Sequence, residues 1–220
     1  MSPEPIYIWT IPLPETTDRR SLRRYVEEAS RSLLAQHVSL SPESVTLGRS
    51  DRGRPHLTGD AISDLHISLA HSGDAALLAV ARGRPIGVDL ERVRPLRAPG
   101  RLAKRFLDST EAENVISFGG GAADRGRRFL DLWVRKEAYL KGVSGSVPVD
   151  LRRFGLSTTE AGSTQVRWTE LEEDAASPWQ IRDLALTEDY VGAVAVEGAI
   201  SQIVLLAQRE TSERLRGART

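Results

Sequence analysis

Apolar residues recur along this chain with two different periods, and the change of period divides it into strands and helices. Ile6 to Ile11 is a short apolar run with aromatics and reads as a strand. From Arg19 to Val38 the spacing becomes three and four. Leu22, Tyr25, Val26, Ala29, Leu33, Leu34 and Val38 then fall on one helical face. Ser41-Pro42-Glu43 marks a turn or a short helix start. Val45 to Leu47 and Leu65 to Leu69 are short strand candidates, with the turn-rich Asp51-Arg52-Gly53-Arg54-Pro55 between them. Ala75 to Ala81 is apolar throughout, Arg82-Gly83-Arg84-Pro85 turns the chain, and Ile86 to Leu90 is apolar again. That pattern predicts two strands joined by a turn.

The same pattern returns later. Tyr190 to Val196 is apolar, Glu197-Gly198 turns the chain, and Ile200 to Leu206 is apolar. Asp74 and Asp189 are 115 positions apart, and so are Gly83 and Gly198. A repeat at about half the chain length predicts two related lobes, each a small sheet with helices on it. Between the two blocks lie helices. Leu102 to Leu107 is one, Asp108-x-x-Glu111 has the form of a capping box for the next, and Gly119-Gly120-Gly121 is a loop. Arg127 to Lys141 is the strongest helix, with Gly142 as its expected end. The expected fold is α+β: two similar lobes related by a pseudo-twofold, residues 1–86 and 87–220, each a mainly antiparallel sheet packed with helices. The polar tail 211–220 is expected to fray.

Composition removes several function classes. The 220 residues carry 30 Lys plus Arg and 30 Asp plus Glu, so the formal net charge is zero. No global basic field exists to hold nucleic acid. With no Cys there is no disulfide scaffold, thiolate nucleophile or zinc-thiolate site. No apolar run reaches the ~20 residues needed to cross a bilayer, and Met1 to Leu13 has no basic-then-apolar leader pattern. The expectation is a cytoplasmic protein that binds neither nucleic acid nor membrane.

Four segments carry candidate chemistry. In Ile86-Gly87-Val88-Asp89-Leu90-Glu91 the two carboxylates are two residues apart on a strand and share a face. They suit a hard cation such as magnesium, or they form a solvated edge neutralised by Arg92 and Arg94. On the strong helix, Trp133, Glu137 and Lys141 are spaced by four and share a face, either as an ordinary ion pair or as part of a site. Ile67-Ser68-Leu69-Ala70-His71-Ser72-Gly73 ends a strand in a His. None of His37, His56, His66 and His71 has zinc spacing, and no Gly-x-Ser-x-Gly occurs. Arg49-x-x-Arg52-Gly53-Arg54-Pro55 gathers three Arg at a Gly-Pro turn, either a phosphate clamp or a solvated basic loop.

Taken in order, Gly53-Arg54-Pro55, Ala70-His71-Ser72, Ile86 to Glu91 and Trp133-x-x-Lys136-Glu137-Ala138-x-x-Lys141 resemble the four signatures of the 4′-phosphopantetheinyl transferases, and most closely those of the two-lobed, surfactin-synthetase-activating type. The resemblance covers roughly residues 31–141. It implies transfer of the phosphopantetheine arm of coenzyme A to a Ser of an apo acyl or peptidyl carrier protein, releasing adenosine 3′,5′-bisphosphate. It implies magnesium on Asp89, Glu91 and Glu137, Glu137 as the base for the carrier Ser, and Lys141 on the α-phosphate. Arg49, Arg52, Gly53, Arg54, Pro55, Ser68 and Ala70 would line the coenzyme pocket, with His71 on the 3′-phosphate and Asp89 and Lys141 also meeting the coenzyme. Phe106 and Leu107 would face the carrier, and the active unit would be a monomer. The usual Lys is Arg54 here, and Ser68 and Ala70 stand where Asn and Ser are usual. A carrier-binding module without catalysis is the alternative. The retention of Asp89, Glu137 and Lys141 argues against it.

Overall fold

The computed structural model describes residues 3–15, 18–50, 55–58, 62–143, 150–158, 164–168 and 178–207. Strand β1 (Ile6–Pro12) leads into helix α1 (Arg19–His37). Asp18 caps α1 by accepting the amides of Arg20 and Ser21. A 3₁₀ turn at Pro42–Ser44 precedes a hairpin of β2 (Thr46–Arg49) and β3 (Pro55–Thr58). Then come β4 (Leu65–Ser72), β5 (Ala75–Arg82) and β6 (Ile86–Arg92). Three helices follow: α2 (Pro99–Phe106), α3 (Ser109–Ile116) and α4 (Ala122–Val143). The chain closes with β7 (Phe154–Thr158), β8 (Thr164–Trp168), β9 (Trp179–Asp183), β10 (Tyr190–Glu197) and β11 (Ile203–Ala207).

The strands form two main sheets in the orders β11-β1-β5-β4 and β6-β10-β9-β8-β7. All pairs are antiparallel except β1 with β11. Both expected strand pairs are corrected here. β5 and β6 do not form a ladder with each other, and neither do β10 and β11. Each connection instead carries the chain from one sheet to the other. β11 therefore completes the first sheet by pairing with β1, although its sequence lies in the second half.

The sheet faces explain the uninterrupted apolar runs. Ala76, Leu78 and Val80 of β5 pack into the core beneath α1, while Leu77, Ala79 and Ala81 enter a core between the two sheets. In β10, Ala193 and Ala195 pack toward α4, while Val194 and Val196 face the inter-sheet core. A strand covered on both faces does not alternate apolar with polar. The layers therefore run helix, sheet, sheet, helix, with three cores between them.

The pseudo-twofold is visible in individual bonds. Leu13 N donates to Asp74 O at 2.8 Å, and Val93 N donates to Asp189 O at 2.7 Å. Gly83 N donates to Asp64 O at 2.7 Å, and Gly198 N to Pro178 O at 2.6 Å. Gly142 does not end α4, which runs on to Val143. The expected frayed tail lies outside the described residues. No helix among the described residues is long and apolar enough to cross a membrane.

Candidate active site

The site is built where β6 meets α4. A side chain at Gly87 would collide with the backbone of Ala138 and Gly142, so only glycine lets the strand lie this close to the helix. Gly142 is equally constrained, because a Cβ there would enter the ring of Trp179. This close approach brings Asp89 on β6 to Lys141 on α4, whose Nζ lies 2.6 Å from Asp89 Oδ1.

Asp89 is buried (8 % exposed) and Glu137 is half-buried. Burial pushes the Asp89 carboxyl above its ordinary value, with Lys141 pulling the other way. Burial also raises Glu137, and the charges of Asp89 and Glu91 raise it further, against Lys141. Three carboxylates thus share one electrostatic neighbourhood with one ammonium. Among the described residues no group of three such side chains is already drawn close enough to cage an ion. The donor set itself, three hard oxygen ligands whose charges disfavour one another, suits a divalent cation.

Glu91 lies at the edge, where its Oε2 accepts from Ser72 Oγ at 3.0 Å and from Arg94 Nη1 at 2.8 Å. His71 is exposed at the end of β4, free of the core and on the same strand end as Ser72. Pro55 opens β3, whereas Arg52, Gly53 and Arg54 lie outside the described residues, and Arg49 is described only as the last residue of β2.

Three expectations are revised. Ser68 does not line a pocket. It is buried between the sheets, and its Oγ accepts the amide of Val88 at 3.0 Å. Ala70 is buried in the inter-sheet core, so its side chain is not open to a ligand. Leu107 is core (2 % exposed) and is not available to a carrier. Phe106 does reach the surface. It stacks edge-on to Trp133 at 5.4 Å and lines a cavity of about 520 Å³ with Trp133, Glu137, Leu140, Leu151 and Arg152.

One cluster was passed over in the sequence. Lys136 is fully buried, and its Nζ donates to the carbonyls of Leu151 at 2.8 Å and Phe154 at 2.6 Å. It also pairs with Glu111 and lies 3.8 Å from Asp108. Asp108 caps α3 as expected, but Glu111 does not complete the box. Its side chain turns inward to Lys136 and accepts the Leu156 amide at 2.9 Å. The only sequence signal was an acidic pair ahead of an apolar helix, which also fits an ordinary helix start. A second missed feature is charge. Arg92, Arg94, Arg97, Arg101, Lys104 and Arg105 are all exposed, and no acidic residue interrupts them.

Residues 85–195 match the family model described as the 4′-phosphopantetheinyl transferase superfamily. The chain is 34% identical over 171 residues to the 4′-phosphopantetheinyl transferase HetI of Nostoc sp., covering 76% of this chain and 67% of that protein. It is 27% identical over 180 residues to the 4′-phosphopantetheinyl transferase psf-1 of Bacillus pumilus, covering 78% of this chain and 72% of that one. Among solved structures, holo-[acyl-carrier-protein] synthase from Neisseria meningitidis aligns with a TM-score of 0.40 and 23% identity, over 52% of this chain and 98% of the other.

Proposed function

This chain belongs to the 4′-phosphopantetheinyl transferase superfamily, and we propose that it carries out the transfer with Asp89, Glu91 and Glu137 as ligands of a magnesium ion. The reaction moves 4′-phosphopantetheine from coenzyme A to a carrier Ser. A bond forms between the Ser oxygen and the phosphorus bearing pantetheine. The bond from that phosphorus to the α-phosphate oxygen breaks, and adenosine 3′,5′-bisphosphate leaves.

The observation that carries the reading is the meeting of β6 and α4 through Gly87, which places Asp89, Glu137 and Lys141 in one neighbourhood. The ion, when bound, neutralises charge on the pyrophosphate under attack. Glu137, its affinity for a proton raised by burial and by its acidic neighbours, takes the Ser proton directly or through a water. Lys141 stands over Asp89 in the free protein and turns its ammonium to the α-phosphate as charge grows on the leaving group. His71, exposed at the strand end, holds the 3′-phosphate, and the 49–55 segment meets the nucleotide. The cavity beside Glu137 receives the reacting end of the pantetheine arm, with Phe106 at its rim toward the carrier. Residues 1–86 supply nucleotide contacts and residues 87–220 the catalytic groups. One chain holds the whole site, so the active unit is a monomer, acting in the cytoplasm.

The test is incubation with coenzyme A, magnesium and a panel of apo acyl and peptidyl carriers, with each carrier read by intact mass. The expected result is a phosphopantetheine mass gain on at least one carrier. Failure to load any carrier that an established transferase loads under the same conditions refutes the reading. Light scattering of the active fraction checks the monomer, and activity confined to a larger species overturns it.

A further inference from the structure

β6 is the edge strand of its sheet, so one set of its backbone amides faces away from β10. Two of these are met by hydroxyls of β4 in the other sheet. Ser68 Oγ accepts from Val88 N, and Ser72 Oγ accepts from Arg92 N, both at 3.0 Å. Ser72 has in addition a carboxylate within reach of its own proton. A hydroxyl has one proton to give. With a Ser72 lone pair committed to the Arg92 amide, its proton is directed to Glu91 Oε2, 3.0 Å away. Arg94, more than half exposed, donates to that same oxygen at 2.8 Å. Both bonds fall on Oε2, and Oε1 takes part in neither.

We infer that Ser72 is a positioning residue for Glu91: by anchoring Oε2 across the sheet interface it fixes the carboxylate so that Oε1 alone is offered to the metal. The inference rests on the proposed reading of Glu91 as a metal ligand. A free glutamate side chain samples many rotamers, and ordering it costs part of the binding energy of any ion it meets. Ser72 removes much of that freedom beforehand. Its carbon skeleton is held by β4, and the adjoining turn is fixed to β10, where Asp74 N donates to Tyr190 OH at 3.1 Å. The hydroxyl is neutral, so it fixes the ligand without adding a positive charge beside the cation. Partners of this kind typically change metal affinity or activity by roughly ten- to a hundredfold. The lower end applies here, because Arg94 keeps a hold on Oε2 when Ser72 is lost.

The test uses the full chain with manganese as probe, free ion being read by electron paramagnetic resonance with coenzyme A present and no carrier. Ser72→Ala is expected to weaken manganese binding about tenfold. Ser72→Thr, which keeps the hydroxyl, should stay within about twofold of wild type, and Glu91→Gln should lose at least as much as Ser72→Ala. Coenzyme A affinity in chelator should be the same for wild type and Ser72→Ala. If Glu91→Gln weakens manganese but Ser72→Ala does not, the positioning role falls while the ligand reading of Glu91 stands. If Glu91→Gln leaves manganese binding intact, the ligand reading falls and takes this inference with it. A loss in Ser72→Ala that appears equally for coenzyme A in chelator marks general damage to the fold and overturns the assignment. Should Ser72→Ala fail to fold, Ser72→Val and Ser72→Thr, nearly equal in shape, decide: equal manganese affinity for the two is the overturning result.

Discussion

Arg84 and Ala199 lie 115 positions apart in the chain and meet in space, the Arg84 guanidinium donating to the Ala199 carbonyl. That separation is the same as between Gly83 and Gly198, one residue before each. Both glycines take positive φ, 67° and 83°. The two connections that carry the chain between sheets are therefore related by the pseudo-twofold and touch near its axis.

Neither glycine has a neighbour within 4 Å of where a Cβ would sit, so replacing one tests backbone conformation alone. Gly83→Ala and Gly198→Ala should each cost about 1–2 kcal/mol, with the corresponding Asn variants losing less. Urea unfolding at one pH measures this, and an unchanged midpoint in both Ala variants contradicts it.

The Lys136 cluster predicts a pH dependence of stability. Asp108, Lys136 and Arg135 are the charged groups bearing on Glu111, and two buried carboxyls face the Lys136 ammonium. Burial first, then the hydrogen bond with Asp108, pushes Glu111 up to about 7. An unfolded glutamate titrates near 4.3, so between these values the folded state holds a proton that the unfolded state has lost. This contribution is intact below the unfolded value and declines as pH rises to about 7, by on the order of 3 kcal/mol. Glu111→Gln should flatten that decline. Unfolding curves for both proteins at pH 5 and about 7.5 give the difference, and parallel losses in the two reject the assignment.

If Asp89 and Glu137 hold the ion as proposed, removing either should stop transfer. Asp89→Ala and Glu137→Ala are expected to abolish turnover at any magnesium concentration, whereas Glu91→Ala should be milder, since water replaces one edge carboxylate. Carrier mass gain at several magnesium concentrations checks this. Near wild-type turnover in Asp89→Ala would remove Asp89 from the site.

If His71 holds the 3′-phosphate, His71→Ala should weaken coenzyme A but not 3′-dephospho-coenzyme A. One charge-assisted hydrogen bond is worth ~1.5–3 kcal/mol, roughly ten- to a hundredfold. Calorimetry with both ligands discriminates, and equal losses mean that His71 is structural.

If the carrier docks on the exposed cations from Arg92 to Arg105, charge complementarity requires an acidic surface on it. Arg101→Glu combined with Lys104→Glu should raise the carrier KM several-fold while leaving the coenzyme A KM unchanged, and the wild-type carrier KM should rise with salt. Identical carrier kinetics in the reversed variant would place docking elsewhere.

Local pattern alone identified α1, α4 and both apolar strand blocks, because a helix face and a strand face are set by spacing along the chain. It also identified the repeat, since Gly83 and Gly198 answer the same backbone demand at equivalent turns. What each strand pairs with was a tertiary decision. An apolar run records that both faces will be covered but not by which strand, so β5 with β6, and β10 with β11, looked like hairpins although each pair is split between sheets. The five-residue strands β7, β8 and β9 carry too few positions for a period to stand out. The polar residues that matter were decided in the same way. Lys136 reads only as a member of the helix signature, with no partner given by spacing, until α3 and the Leu151–Phe154 carbonyls close over it. Ser72 reads only as the end of a strand until β6 presents an outward-facing amide and Glu91 beside it. A hydroxyl or an ammonium takes its role from the partners that long-range packing brings within about 3 Å, and the local sequence contains no trace of those partners.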